Sequence, residues 1–345
     1  MPAASGTNTE SSMKKSQPEK VDHFLSKELL KFGSVYFFIP LIELQAKLSV
    51  THAWFDGTLV DNHRRLLAYQ YFNNEQSRLL QFYIPEAFSR VFGLSVIHAY
   101  ILQRWLFVFV AFVCFHAYLK RWFDNRLAFA GVMSLAAIMP LSYFNDLQES
   151  SALLMVTFLL GLWAIRDHRT GLYTLVLTIG AINNETMLFL PSVYFFYNYK
   201  DLAWRRINKL ILLTVGTSLP AFLVVGTIRY INRNRPHLVG AWHLPDNVAG
   251  VLSGLKVMPL DYWSNTYLYL FFLFGAFWVF AFLRYSRKPL FLRRAALMIP
   301  LFLVGHFITG RIHEARQMVP LSFIIIPMAF VYLFPMDQET STSSS

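Results

Sequence analysis

Runs of apolar residues about as long as a membrane span recur through this chain, separated by short polar segments. A bilayer core takes about 17 to 25 residues of helix to cross, and in lipid only helices and closed barrels satisfy every backbone amide. Runs of this length read as helices, because a barrel strand would need only half the residues and strict alternation. With 55% hydrophobic, 17% aromatic and 15% charged residues over 345 positions, the chain is too apolar for a water-soluble domain of this size. The expected fold is therefore an all-α integral membrane protein of about ten transmembrane or half-length helices, at 32–50, 95–119, 127–143, 151–165, 172–182, 187–199, 210–228, 266–283, 295–309 and 318–334. Residues 32–334 form one transmembrane domain. Polar tails flank it: 1–31, read as disordered with a short amphipathic helix and lacking the apolar core of a secretory signal, and 335–345.

The runs at 172–182 and 187–199 are each too short to cross alone, and both carry positive charge at their outer ends. They predict half-length or tilted helices meeting at Asn183, Asn184, Glu185 and Thr186. Positive residues concentrate on cytoplasmic loops, and most of the 31 Lys and Arg fall on one side if the N-terminus is cytoplasmic. That places both termini in the cytoplasm, with the bacterial inner membrane preferred over the endoplasmic reticulum. Segments 51–94, 144–150, 183–186, 229–265 and 310–317 then share the opposite face. The net charge of +11 follows this topology, which points to membrane lipid as partner and away from nucleic acid.

Candidate chemical groups lie on that outer face. Asp56 sits among Trp54 and Phe55 and before Gly57, where a partly desolvated carboxylate suits a general base or caps the next helix. Downstream, apolar residues recur at helical spacing and predict two interfacial amphipathic helices, with Pro85 as a break. Asp146 and Glu149, three apart, suit a sugar hydroxyl or a metal ion, or serve only loop solubility. Glu185, at a break between apolar segments, is an intramembrane acid or a capping residue. Between the last two runs, Arg311, His313, Glu314 and Arg316 are crowded into eight residues, suited to a phosphate with Glu314 orienting an arginine, or to headgroup anchoring. Glu43 and Lys47, four apart in the first run, read as a structural ion pair or as the buried charges of a transporter. Cys114 is the single cysteine, which excludes an internal disulfide and a Cys-based metal site. The histidines lack metal-site spacing, and no Gly-rich phosphate loop or nucleophile elbow is present.

Asp56 in a long first outer loop with interfacial helices, the segment INNETMLFLP around Glu185, and HEARQMVPLSFIIIPMAF at the last span together resemble the GT-C superfamily of integral-membrane glycosyltransferases. That resemblance implies inverting transfer of a sugar from a polyprenyl-phosphate donor to a glycan, lipid or protein acceptor outside the cytoplasm. It implies Asp56 as catalytic base, with Asp61 second, and Arg311 and Arg316 holding the departing phosphate. Asp146, Glu149, Glu185, His313 and Glu314 join them as substrate-binding candidates. The first loop lacks an adjacent acidic pair, so a divalent metal is an open cofactor that the sequence does not require. A multi-span transporter or flippase and a non-catalytic subunit of a membrane complex are the alternatives.

Overall fold

A computed structural model describes residues 27–51, 54, 56–143, 149–200, 203–236, 242–256, 273–311 and 314–334. Among these residues all regular secondary structure is helical. Five helical stretches are long and apolar enough to cross a membrane: Val96–Leu119, Asn125–Ser142, Trp204–Ile231, Leu290–Thr309 and Ala315–Leu333. Ser151–Arg166 and Thr170–Asn183 are shorter apolar helices. Among the described residues the chain is thus all-helical with five candidate spans. The expected runs at 151–165 and 172–182 are the two shorter apolar helices, and the run at 32–50 lies in the helix Lys27–Val50, which carries Glu43 and Lys47. The expected span at 266–283 lies partly outside the described residues, as do both tails apart from 27–31.

In chain order, α1 is Lys27–Val50, α2 Thr58–Leu67, α3 Asn73–Gln76, α4 Leu80–Phe92, α5 Val96–Leu119, α6 Asn125–Ile138, α7 Ser151–Arg166, α8 Thr170–Asn183, α9 Leu190–Asn198 and α10 Trp204–Ile231. Polar caps mark where the apolar runs begin: Ser95 opens α5 by accepting from the His98 amide, and Asp124 opens α6 by accepting from Leu127 at 2.8 Å. Pro85 lies inside α4 and does not end it. The ring removes one backbone hydrogen bond, and buried Phe82 and Pro85 itself keep the helix seated.

The most and least buried of the candidate spans identify centre and periphery. The last candidate span, Ala315–Leu333, has 78% of its most apolar window buried, against 22% for α10. Residues Ser322 to Phe330 of that last span are buried on every side, as a helix apolar all round requires. α10 instead presents Leu212, Val215, Phe222 and Leu223 outward, the surface a lipid-facing helix offers. Between them α7 packs on α5 and α8, and α8 on α10.

α8 and α9 form an antiparallel hairpin. Tyr173 stacks on Tyr194 at 5.0 Å and His168 on Tyr197 at 5.2 Å, a register that folds the chain back at Asn184. The tip is close-packed: a Cβ on Gly180 would stand 2.6 Å from the Met187 methyl. Asn184 is extended (φ −160°, ψ 129°), and its side chain accepts from the Thr186 amide at 3.0 Å. The Asn183–Thr186 break expected from length and flanking charge is thus the tip of a hairpin.

A buried ionic cluster ties α1 to α5 and to the start of α7. Glu149 receives Arg104 Nη1 at 2.5 Å on one oxygen and faces Lys47 Nζ at 3.7 Å with the other. Tyr143 donates to Glu43 at 2.8 Å. Lys47 is therefore matched to Glu149 across the fold, and not simply to Glu43 one turn away. Glu149, a substrate-binding candidate in the sequence, is buried with one oxygen on Arg104 and the other facing Lys47, and Asp146, its proposed companion, lies outside the described residues. Replacing Glu149 by Gln leaves two buried cations without their carboxylate. It should lower unfolding free energy by about 3–5 kcal/mol, measured by chemical unfolding in detergent micelles; a loss below about 1 kcal/mol would mean the cluster is solvated.

Candidate functional site

The hairpin tip is built by borrowed hydrogen bonds. α8 ends with open carbonyls, and Ile182 O receives the backbone amide of Leu79, from the loop after α3, at 3.1 Å. Asn183 Nδ2 donates to Ser150 O at 2.9 Å, and Asn184 Nδ2 to Ser150 Oγ at 3.3 Å. These bonds draw the 70–79 loop, the start of α7 and the hairpin tip together. Arg229 at the end of α10 pairs with Glu185 and also donates to Asn73 Oδ1 at 2.5 Å and Asn74 Oδ1 at 3.2 Å. Asn247 donates to Phe307 O and Gly310 O, both at 2.7 Å. Every segment assigned to one membrane face by charge thus contributes to one polar end of the bundle.

A cavity of about 320 Å³ opens there. Its charged lining is Arg78, Glu185 and Arg316, with His306, Gln317 and the hydroxyls of Ser150, Ser151, Thr186 and Thr309 around them. Glu185 is matched by Arg229 and Arg316 by Glu314, whose Oε2 takes a 2.8 Å bond from Arg316 and a 2.9 Å bond from Gln317. Arg78 differs. Its guanidinium makes no ion pair or hydrogen bond to a described residue, and its Nε is fully enclosed. Burial lowers its basicity, Glu185 counters that, Arg316 adds to the lowering, and Glu75 and Glu314 counter it further. Arginine stays charged under such shifts, so a cation without a direct partner faces the cavity.

Of the expected site residues, Glu185 and Arg316 line this cavity, and Glu314 stands behind Arg316. Arg311 follows Gly310 in the chain but is not part of the lining, and His313 lies outside the described residues. The turn itself is shorter than eight residues, because Ala315–Leu321 is already a 3-10 helix leading into the last span. Asp56 is exposed and its Oδ1 accepts from the Thr58 amide at 2.9 Å. That bond reaches the first residue of α2, whose N-cap is Gly57 at φ 83°. Asp61 is exposed, with Arg64 at 3.4 Å on the same helix face. Neither aspartate lines the cavity. Among the described residues, no group of three or more His, Cys, Asp or Glu is placed to hold a metal ion.

Sequence reasoning missed Arg78, His306 and Gln317. Arg78 is a lone base between the polar NNEQS and the apolar LLQFY; that junction was its one visible signal. No protein-family model, curated protein or solved structure matches the chain.

Burial raises the Glu314 carboxyl, but the Arg316 charge, hydrogen bonds from Arg316 and Gln317, and the Arg78 charge outweigh it and hold it below the ordinary 4.5. A depressed folded pKa contributes stability that is complete above the ordinary value and is lost as pH falls through the folded one. The stability difference between the wild type and Glu314→Gln should therefore be constant from neutrality down to pH 4.5 and shrink below it. Thermal unfolding of both proteins across that range checks it; a difference that shrinks near neutrality would contradict it.

Proposed function

We propose that the protein is an integral-membrane glycosyltransferase moving a sugar from a polyprenyl-phosphate donor to a glycan, lipid or protein acceptor on the extracytoplasmic side, with the donor phosphate at Arg78 and Arg316. One observation carries the reading: the Arg78 guanidinium, without a direct partner among the described residues, stands beside Arg316 in a polar cavity at the end of apolar helices. The GT-C-like arrangement of the sequence supplies the reaction class.

In such a transfer an acceptor oxygen attacks the anomeric carbon while the bond from that carbon to the phosphate oxygen breaks. The electron pair leaves on polyprenyl phosphate, whose charge rises by one. Guanidinium groups already in position stabilise that developing charge without reorganising, and Arg suits phosphate through paired donors. The acceptor proton passes to a carboxylate. Asp56 is the base the resemblance implies, and Glu185, paired with Arg229, is the carboxylate on the cavity wall.

The transporter alternative drew on Glu43 and Lys47. Both are engaged inside the fold, with Tyr143 and Glu149, which weighs against mobile ion-coupling charges. Arg78→Gln should reduce transfer from a polyprenyl-phosphate sugar by about 10²–10³-fold in detergent-solubilised protein, with unfolding temperature retained. Asp56→Asn and Glu185→Gln, assayed in parallel, identify the base as the one whose loss abolishes turnover. No turnover by the wild type with any such donor would leave the non-catalytic reading.

A further inference from the structure

On the segments that meet at the polar end, Arg64 is paired with Asp61, Arg90 with Glu86, Arg229 with Glu185 and Arg316 with Glu314. Arg65, Arg233 and Arg235 make no ion pair among the described residues and lie on aromatic rings instead. The Arg65 guanidinium stands 5.1 Å from the Tyr71 ring centre, Arg235 5.6 Å from Tyr69, and Arg233 3.9 Å from Tyr230. Glu75, the acid near Tyr71, has one carboxylate oxygen enclosed and acts on Arg78 as well.

Two segments carry these residues and are bonded to each other. The Asn73 amide donates to Pro236 O at 3.0 Å and its side chain to Asn232 O at 2.6 Å, while Arg235 Nε donates to Asn232 Oδ1 at 2.9 Å. Arg235 lies over Tyr69, whose hydroxyl shares a 2.7 Å hydrogen bond with that of Tyr83. Tyr69 has φ 53°, a left-handed conformation uncommon for a side chain of its size. Asn73 also accepts from Arg229, which pairs with Glu185 on the cavity wall. The surface therefore adjoins the cavity.

These groups offer donors. A guanidinium stacked on a ring keeps N–H groups along its edge, where a carboxylate is met in plane. Of two hydroxyls in one hydrogen bond, one proton is used and the other remains for a ligand. Three cations on two segments suit an anion that repeats along a chain, and the phenols suit hydroxyls between those anions. A lipid headgroup supplies a single anion on a tail that stays in the bilayer.

Resting on the transferase reading, in which the acceptor is open, we propose that this surface binds an acidic polysaccharide as acceptor, with carboxylates on Arg65, Arg233 and Arg235 and sugar hydroxyls on Tyr69 and Tyr83. The probes are an oligogalacturonate, a polyglutamate of the same charge, neutral dextran and glycerol phosphate, each titrated against the full chain in phosphatidylcholine nanodiscs. The oligogalacturonate should bind at least about tenfold more tightly than dextran and about threefold more tightly than polyglutamate, and should weaken as salt rises. Arg233→Gln and Arg235→Gln should each weaken it about three- to tenfold, whereas Arg64→Gln, an exposed arginine already paired with Asp61, should leave it unchanged. Tyr69→Phe should remove the margin over polyglutamate. If Arg235→Gln lowers the unfolding temperature, Arg233→Gln decides. Oligogalacturonate binding no tighter than dextran or polyglutamate overturns the proposal, as does an equal loss from Arg64→Gln. Glycerol phosphate, a soluble lipid headgroup, binding as tightly as the oligogalacturonate overturns it too and makes the surface a headgroup site. Oligogalacturonate binding without sugar transfer from any polyprenyl-phosphate donor would sink the transferase reading and leave this surface standing; transfer to a neutral acceptor without that binding would do the reverse.

Discussion

The polar end of this bundle depends on α8 stopping short. Fourteen residues rise about 21 Å, less than a bilayer core of about 30 Å. A helix that ends inside apolar surroundings leaves carbonyls with no water to take them, at several kcal/mol each. Here the 70–79 loop supplies a partner, the Leu79 amide donating to Ile182 O, while the Asn184 amide closes Gly180 O within the same helix end, and the side chains of Asn183 and Asn184 donate to Ser150. Because those partners lie far apart in sequence, satisfying one helix end draws the 70–79 loop and the start of α7 to the hairpin tip. The cavity is the space that remains where these segments and the 310–317 turn meet.

Charge is divided between two clusters of opposite character. Around Glu149 the ions are buried and matched, which suits a framework that must not move. Around Arg78 they are matched for Glu185 and Glu314 but incomplete for Arg78 itself. The clusters meet at a second cavity of about 10 Å³, lined by Arg104, Tyr143, Ser151 and Arg316, room for roughly one water. Arg316 and Ser151 border both spaces, so the closed cluster adjoins the open one through the first residue of α7 and the start of the last candidate span.

Local patterns in the sequence made much of this legible. Apolar length located the spans at 95–119, 127–143, 210–228, 295–309 and 318–334, and short length with flanking charge located the break at Asn183–Thr186. Loop charge grouped the segments that meet at the cavity. Pairing between distant positions was not legible. Lys47 and Glu43, four apart, suggested each other, whereas Lys47 faces Glu149 and Glu43 accepts from Tyr143. Asp56 and Arg78 show the same limit from opposite sides. Asp56 drew notice for its aromatic neighbours in sequence but is exposed and bonded to the Thr58 amide, while Arg78 had an ordinary local context and is placed where the Leu79 amide binds Ile182 O. Exposure and cavity lining are set by what packs on a residue, which no window of neighbouring residues contains.

α10 links these levels. It is the candidate span least covered by protein, so its long apolar face meets lipid, yet its last turn sends Arg229 to Glu185 on the cavity wall. The wall of the polar site is therefore held in part by a helix whose other side is in the hydrocarbon. A ligand with an anionic, hydroxylated head and a long apolar tail needs just that adjacency, since the head must leave water for fixed donors while the tail stays in lipid at about 0.8 kcal/mol per buried methylene. A soluble sugar phosphate would need only the cavity. The position of the site beside a helix little covered by protein, together with the Arg78 guanidinium in the cavity wall, fits the lipid-linked donor proposed above better than a free sugar phosphate.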